Sequence, residues 1–121
     1  MKRRLGLVMA CCWMFASIAV TRGETRTWTG TISDSMCGAS HAAMRSHGEK
    51  VTDRECTVAC VSYQTPDAPK YVFVSEGKIY AIANQRFAGL GRRAGEPVVL
   101  TGETDGAGAI TIAKIEAAPK K

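Results

Sequence analysis

The chain of 121 residues carries a formal charge of +5, is 45% apolar and contains 5 cysteines. That size holds one small domain, and an apolar fraction near one half with so modest a charge excludes both a multidomain protein and a disordered one. The basic balance speaks for a polyanion partner only if the charge lies in the folded part of the chain.

It does not. Lys2, Arg3 and Arg4 precede an uncharged run of 16 residues from Leu5 to Val20, and small residues follow at Ser17, Ala19 and Gly23. This is the three-part layout of a secretory signal peptide over residues 1–23, and the run is shorter than the ~20 residues a spanning helix needs. Cleavage is the expectation and an uncleaved anchor the alternative; a lipid on Cys11 would strand the apolar stretch from Trp13 to Val20 and is disfavoured. The remaining residues, 24–121, form one small β-rich domain with 12 basic residues against 11 acidic ones, a charge of +1. A periplasmic or secreted location follows, with no membrane attachment after cleavage and no nucleic-acid partner. Cys11 and Cys12 leave with the signal, so Cys37, Cys56 and Cys60 stand as an odd set of three in an oxidising compartment.

The mature chain has 13 Val or Ile, only two Leu and ten Gly, a bias towards strands. Thr25 to Asp34 alternates strictly, with Trp28, Gly30 and Ile32 on one face and Thr27, Thr29, Thr31 and Ser33 on the other, as a half-buried strand does. Gly38 to His47 then shows Ala39, Ala42, Ala43 and Met44 at helical spacing. Thr52 with Glu55 three residues on predicts a capping box that starts a second helix running to about Tyr63, and the Pro-rich stretch 65–69 breaks it. Lys70 to Ser75 and Lys78 to Ala83 form a hairpin across Glu76-Gly77, and Pro97 to Gly102 and Ala109 to Glu116 form another across Asp105-Gly106. Arg86 to Gly95 is a short helix or a loop, and Lys120-Lys121 is a frayed tail. The fold class is therefore mainly β. Five strands make a small OB-like barrel or strongly curved sheet, with a helical insertion after the first strand that carries the cysteines and both histidines.

The candidate chemistry lies in that insertion. Cys37 and His41, like Cys56 and Cys60, are spaced i and i+4, which puts each pair on one helix face. Together they make a Cys3His set, whose ligand types suit zinc or copper(I). The competing arrangement is a disulfide of Cys37 with Cys56 or Cys60 and one spare thiol; the oxidising compartment favours it, since the Cys56–Cys60 pair is too widely spaced on a helix to bond. A thiol-disulfide oxidoreductase ranks third, because the spacing is not Cys-x-x-Cys. Hydrolytic catalysis lacks an orienting third group. Asp34 adds an oxygen ligand or, by the stronger expectation, caps the following segment. Arg86, Arg92 and Arg93 form a basic loop that holds an anion or is simply solvated. Trp28, Tyr71, Phe73 and Tyr80 read as core in preference to a stacking platform.

The runs Ile32-Ser-Asp-Ser-Met-Cys-Gly, His41, Cys56-Thr-Val-Ala-Cys60, Tyr71-Val-Phe-Val and Lys78-Ile-Tyr-Ala-Ile-Ala-Asn-Gln85 resemble a family of small exported bacterial proteins classed only as a domain of unknown function. The resemblance spans Trp28 to Glu116 and implies an exported β-rich domain, with no catalytic or ligand residue to carry over. The reading is a small exported, non-enzymatic binding or interaction module, acting on an unknown protein or small ligand. Its metal site would be Cys37, His41, Cys56 and Cys60; the alternative is a disulfide-stabilised adaptor without ligand or cofactor.

Overall fold

A computed structural model describes residues 23–41 and 51–120. The expected signal peptide, the rest of the first expected helix from 42 onward and His47 lie outside the described residues. Five strands form one antiparallel sheet: β1 (Thr25–Asp34), β2 (Tyr71–Ser75), β3 (Lys78–Ala81), β4 (Pro97–Thr104) and β5 (Ile110–Ala117), in the order β3-β2-β1-β4-β5. Among the described residues two helices join them, α1 (Asp53–Val61) and the single turn α2 (Leu90–Arg93). No helix among the described residues is long and apolar enough to cross a membrane.

The long first strand organises the sheet. Its N-terminal part, Thr25 to Thr31, pairs with β4, and its C-terminal part, Thr31 to Asp34, pairs with β2. The alternation in the sequence holds through Ile32, which is fully buried, with Thr27 and Thr29 on the outside. It stops at Ser33 and Asp34, both buried although one faces each side. There the connection from β1 to β2 folds over the strand end and covers its outer face.

The core is Ile32, Phe73, Ile82, Leu90, Ala94, Val98, Leu100, Ile110 and Ile112, and Trp28, Tyr71 and Tyr80 pack against it as expected of core aromatics. The β2–β3 hairpin turns at Glu76 (φ 51°) and Gly77 (φ 75°), a pair of positive φ values that matches the twist of the strands it joins.

The sheet is not closed into a barrel. β3 is only four residues long, and after it the two edges touch through one parallel bridge, Ile82 to Ile110. Side chains then take over from the ladder. Asn84 Nδ2 donates to the Ile112 carbonyl and the Ile112 N–H donates to Asn84 Oδ1, both at 2.8 Å. Gln85 grips Tyr71 in the same two-way manner, accepting from its N–H at 2.8 Å and donating to its carbonyl at 2.9 Å. The Asn-Gln pair thus does the work of a strand that the sequence does not supply. Asn84→Ala would leave a backbone N–H and C=O unpaired in a half-buried position. It is expected to cost about 2–3 kcal/mol in urea unfolding, with Asn84→Asp, which keeps the acceptor, losing less.

Candidate metal centre

The expected helix does not begin at Gly38: residues 35–39 are a turn, and Cys37 and His41 are non-helical. Local hydrogen bonds explain the difference. Asp34 Oδ1 accepts from the N–H of Met36 (3.0 Å) and of Cys37 (2.9 Å), Ser33 Oγ donates to the Gly38 carbonyl (2.6 Å), and Gly38 reverses the chain at φ 59°. Short polar side chains that capture nearby backbone groups in this way compete successfully with a helix. Asp34, expected to cap a helix, closes this turn instead.

The second helix forms as expected. Thr52 Oγ1 accepts from the Glu55 N–H, Glu55 Oε2 accepts from the Thr52 N–H at 2.8 Å, and α1 follows. Its buried face is Cys56, Thr57 and Cys60, whereas Val58 is exposed. A helix that turns thiols and a hydroxyl inwards and its valine outwards is packed on something other than the apolar core.

What it faces is Asp34 and His41. The Asp34 carboxylate is fully buried, and its Oδ2 lies 3.1 Å from His41 Nε2. Thr57 Oγ1 lies 3.2 Å from the same nitrogen. On the other side of the ring, His41 Nδ1 is 3.7 Å from Asp53 Oδ1. The imidazole is thus fixed between two carboxylates and a hydroxyl. Beside it the Cys37 and Cys56 sulfurs are 4.0 Å apart, and among the described residues Cys37, Cys56 and Cys60 are free thiols. One ligand atom from each of Asp34, Cys37, His41 and Cys56 falls within 4.8 Å of the other three.

Those separations can be set against a tetrahedral site. Zinc bonds of about 2.3 Å to sulfur and about 2.0–2.1 Å to nitrogen and oxygen imply ligand-to-ligand edges of about 3.3–3.8 Å. The observed 3.1 Å between nitrogen and oxygen and 4.0 Å between the sulfurs bracket that range. Of the four expected residues, Cys37, His41 and Cys56 come together, with Asp34 as the fourth member of the group, and Cys60 lies one turn further along α1 outside it. Thr57 and Asp53, which sequence reasoning did not single out, flank the His41 ring, Thr57 at Nε2 and Asp53 at Nδ1. Their signal was present in Asp53, Cys56, Thr57 and Cys60 at i, i+3, i+4 and i+7, a polar stripe where an amphipathic helix carries its apolar one.

Comparison of the chain with protein-family models, with curated proteins and with solved structures gives no match.

The electrostatics of the cluster favour protons in the absence of a cation. Burial, the Asp34 carboxylate and the neighbouring Cys56 push the Cys37 thiol up to about 12, and burial with Asp34 also raises Cys60. A proton that the folded state holds more tightly than the unfolded chain stabilises folding below the ordinary thiol range and ceases to do so as pH rises. The metal-free protein should therefore lose stability between about pH 9 and 12, and thermal melts across that window should show a shallower loss for Cys37→Ser than for the parent.

Proposed function

We propose that this protein is an exported, non-enzymatic module that binds one metal ion, zinc or copper, through Asp34, Cys37, His41 and Cys56. The convergence of two thiols, an imidazole and a carboxylate from the end of β1, the turn after it and α1 carries the proposal. Two sulfurs, a nitrogen and an oxygen form a borderline set that suits zinc; copper(I), which prefers sulfur, would draw on Cys60 beside Cys37 and Cys56. With Nε2 toward the metal, Asp53 at Nδ1 would orient the imidazole from behind, the usual task of a group behind a metal-bound histidine. The curl of the sheet around a shared β1, with its edges in contact at Ile82 and Ile110, supports an OB-like reading of the scaffold.

The second reading is a disulfide-stabilised adaptor. The 4.0 Å between the Cys37 and Cys56 sulfurs favours that pairing over one with Cys60, since a shift of about 2 Å would bond them. An oxidoreductase is opposed by the raised Cys37 and Cys60 thiols, because thiol exchange runs through the thiolate.

The deciding experiment counts thiols and metal on protein purified from the compartment to which it is exported. Three thiols under denaturing conditions with chelator, and one equivalent of zinc or copper beforehand, are the expected result. One thiol and no metal, with no metal taken up after reduction, would establish the disulfide reading instead.

A further inference from the structure

Three cations from two separate helices, Arg54 and the adjacent pair Arg92 and Arg93, meet on one face of the molecule. Arg54 from the first turn of α1 and Arg92 and Arg93 from α2 line one hollow of about 330 Å³. Glu96 answers one of them, with its carboxylate 3.4 Å from Arg93. Among the described residues no ion pair reaches Arg54 or Arg92. Glu55, next to Arg54 in sequence, has its carboxylate engaged by the Thr52 N–H and hydroxyl. Gathering like charges costs free energy, which Glu96 beside Arg93 and the attraction of Glu55 for Arg54 offset only in part.

The same two arginines, Arg54 and Arg92, also border a wider groove of about 670 Å³ between α1 and α2, with Val58, Ala59 and Gly91 along it. Val58 is 38% exposed there, and Gly91 leaves the groove open next to it: a methyl on Gly91 would come within 3.9 Å of Val58 Cγ2. A cationic hollow and a largely apolar groove, which Thr52, Glu55 and Ser62 also border, therefore share the Arg54 and Arg92 guanidinium groups at their junction.

We propose that this face binds a small amphiphilic organic anion, with its carboxylate between Arg54 and Arg92 and its aliphatic body along Val58, Ala59 and Gly91. The planar fork of each guanidinium matches the two oxygens of a carboxylate, and the apolar groove removes the attached chain from water. The site is independent of the metal centre.

Octanoate, inorganic phosphate and octyl glucoside are the probes, titrated separately into the full chain and followed by calorimetry and amide chemical shifts. Octanoate should bind saturably at one site, with shifts centred on residues 54–62 and 89–93 and with affinity falling as salt is raised. The doubly substituted Arg54→Gln/Arg92→Gln protein should bind it at least tenfold more weakly. Ala59→Glu, at an exposed helical position, should do the same, and Arg86→Gln should not. The proposal fails if octanoate does not saturate, if octyl glucoside binds equally well, if phosphate alone competes equally, or if both Ala59→Glu and the arginine pair leave binding unchanged in folded protein.

Discussion

Cys60→Ser should keep its metal where Cys56→Ser loses it. Two cysteines one helical turn apart, both buried and both facing inwards, look equivalent in sequence, yet only Cys56 brings its sulfur within 4.8 Å of the Asp34, Cys37 and His41 ligand atoms. Removing a ligand costs more than removing a group behind one, which itself costs about 10–100-fold in affinity. Cys56→Ser and His41→Ala should therefore lower zinc affinity by about 100-fold or more, while Cys60→Ser stays within about tenfold of the parent. Asp34→Asn is the most informative change, because its amide oxygen still accepts from the Met36 and Cys37 N–H groups while the charge is gone. It should fold and should bind zinc at least tenfold more weakly. Cobalt(II) offers a readout of ligand type, since its sulfur-to-metal absorption should halve in Cys56→Ser and hold its strength in Asp34→Asn. If Cys60→Ser abolishes binding as Cys56→Ser does, the site is the three-sulfur, one-imidazole set and Asp34 serves only the turn.

Most of the strands were legible because their signals are local: alternation in β1, a Glu-Gly turn, a Pro at the start of β4. α1 was legible through its capping box. The turn after β1 was not, because helical spacing of alanines competes there with a buried aspartate whose captures of Met36 and Cys37 depend on what covers it. The incomplete closure of the sheet was hidden for a similar reason. Asn84 and Gln85 follow the expected strand from Lys78 to Ala83 with no local signal of their own, and only their pairing with Ile112 and Tyr71 shows that side chains have replaced the ladder. Which residue joins Cys37, His41 and Cys56 in the cluster depended on a distance in space. Asp34 and Cys60 both lie at plausible positions along the chain, and only the placement of α1 over the end of β1 separates them.

That placement rests on Gly95, and Gly95→Ala should be the most damaging single methyl in the helical half of the molecule. Gly95 donates its N–H to the Ile32 carbonyl at 2.9 Å, next to the parallel bridge of Ile32 with Ala94, so its backbone is fixed to β1. It sits at φ 76°, where an L side chain is strained, and a Cβ there would lie 2.6 Å from the Arg54 nitrogen and 3.0 Å from Asp53 Cβ. The obstructing atoms are the backbone of the first turn of α1 and cannot rotate away. Backbone strain of about 1 kcal/mol and overpacking of about 1–3 kcal/mol together predict a loss of about 2–4 kcal/mol. Gly77→Ala supplies the control, since Gly77 has nearly the same φ, 75°, with nothing within 4 Å of the added methyl. It should lose only the strain component. Relief in Gly95→Ala has to come from α1 tilting off the sheet, which carries Cys56 away from Cys37 and Asp53 away from His41. Zinc affinity should therefore fall along with the melting temperature in Gly95→Ala and stay at the parental value in Gly77→Ala. Equal stability losses at the two glycines, or an unaltered affinity at Gly95, would mean that α1 is not seated tightly enough for its position to define the ligand set.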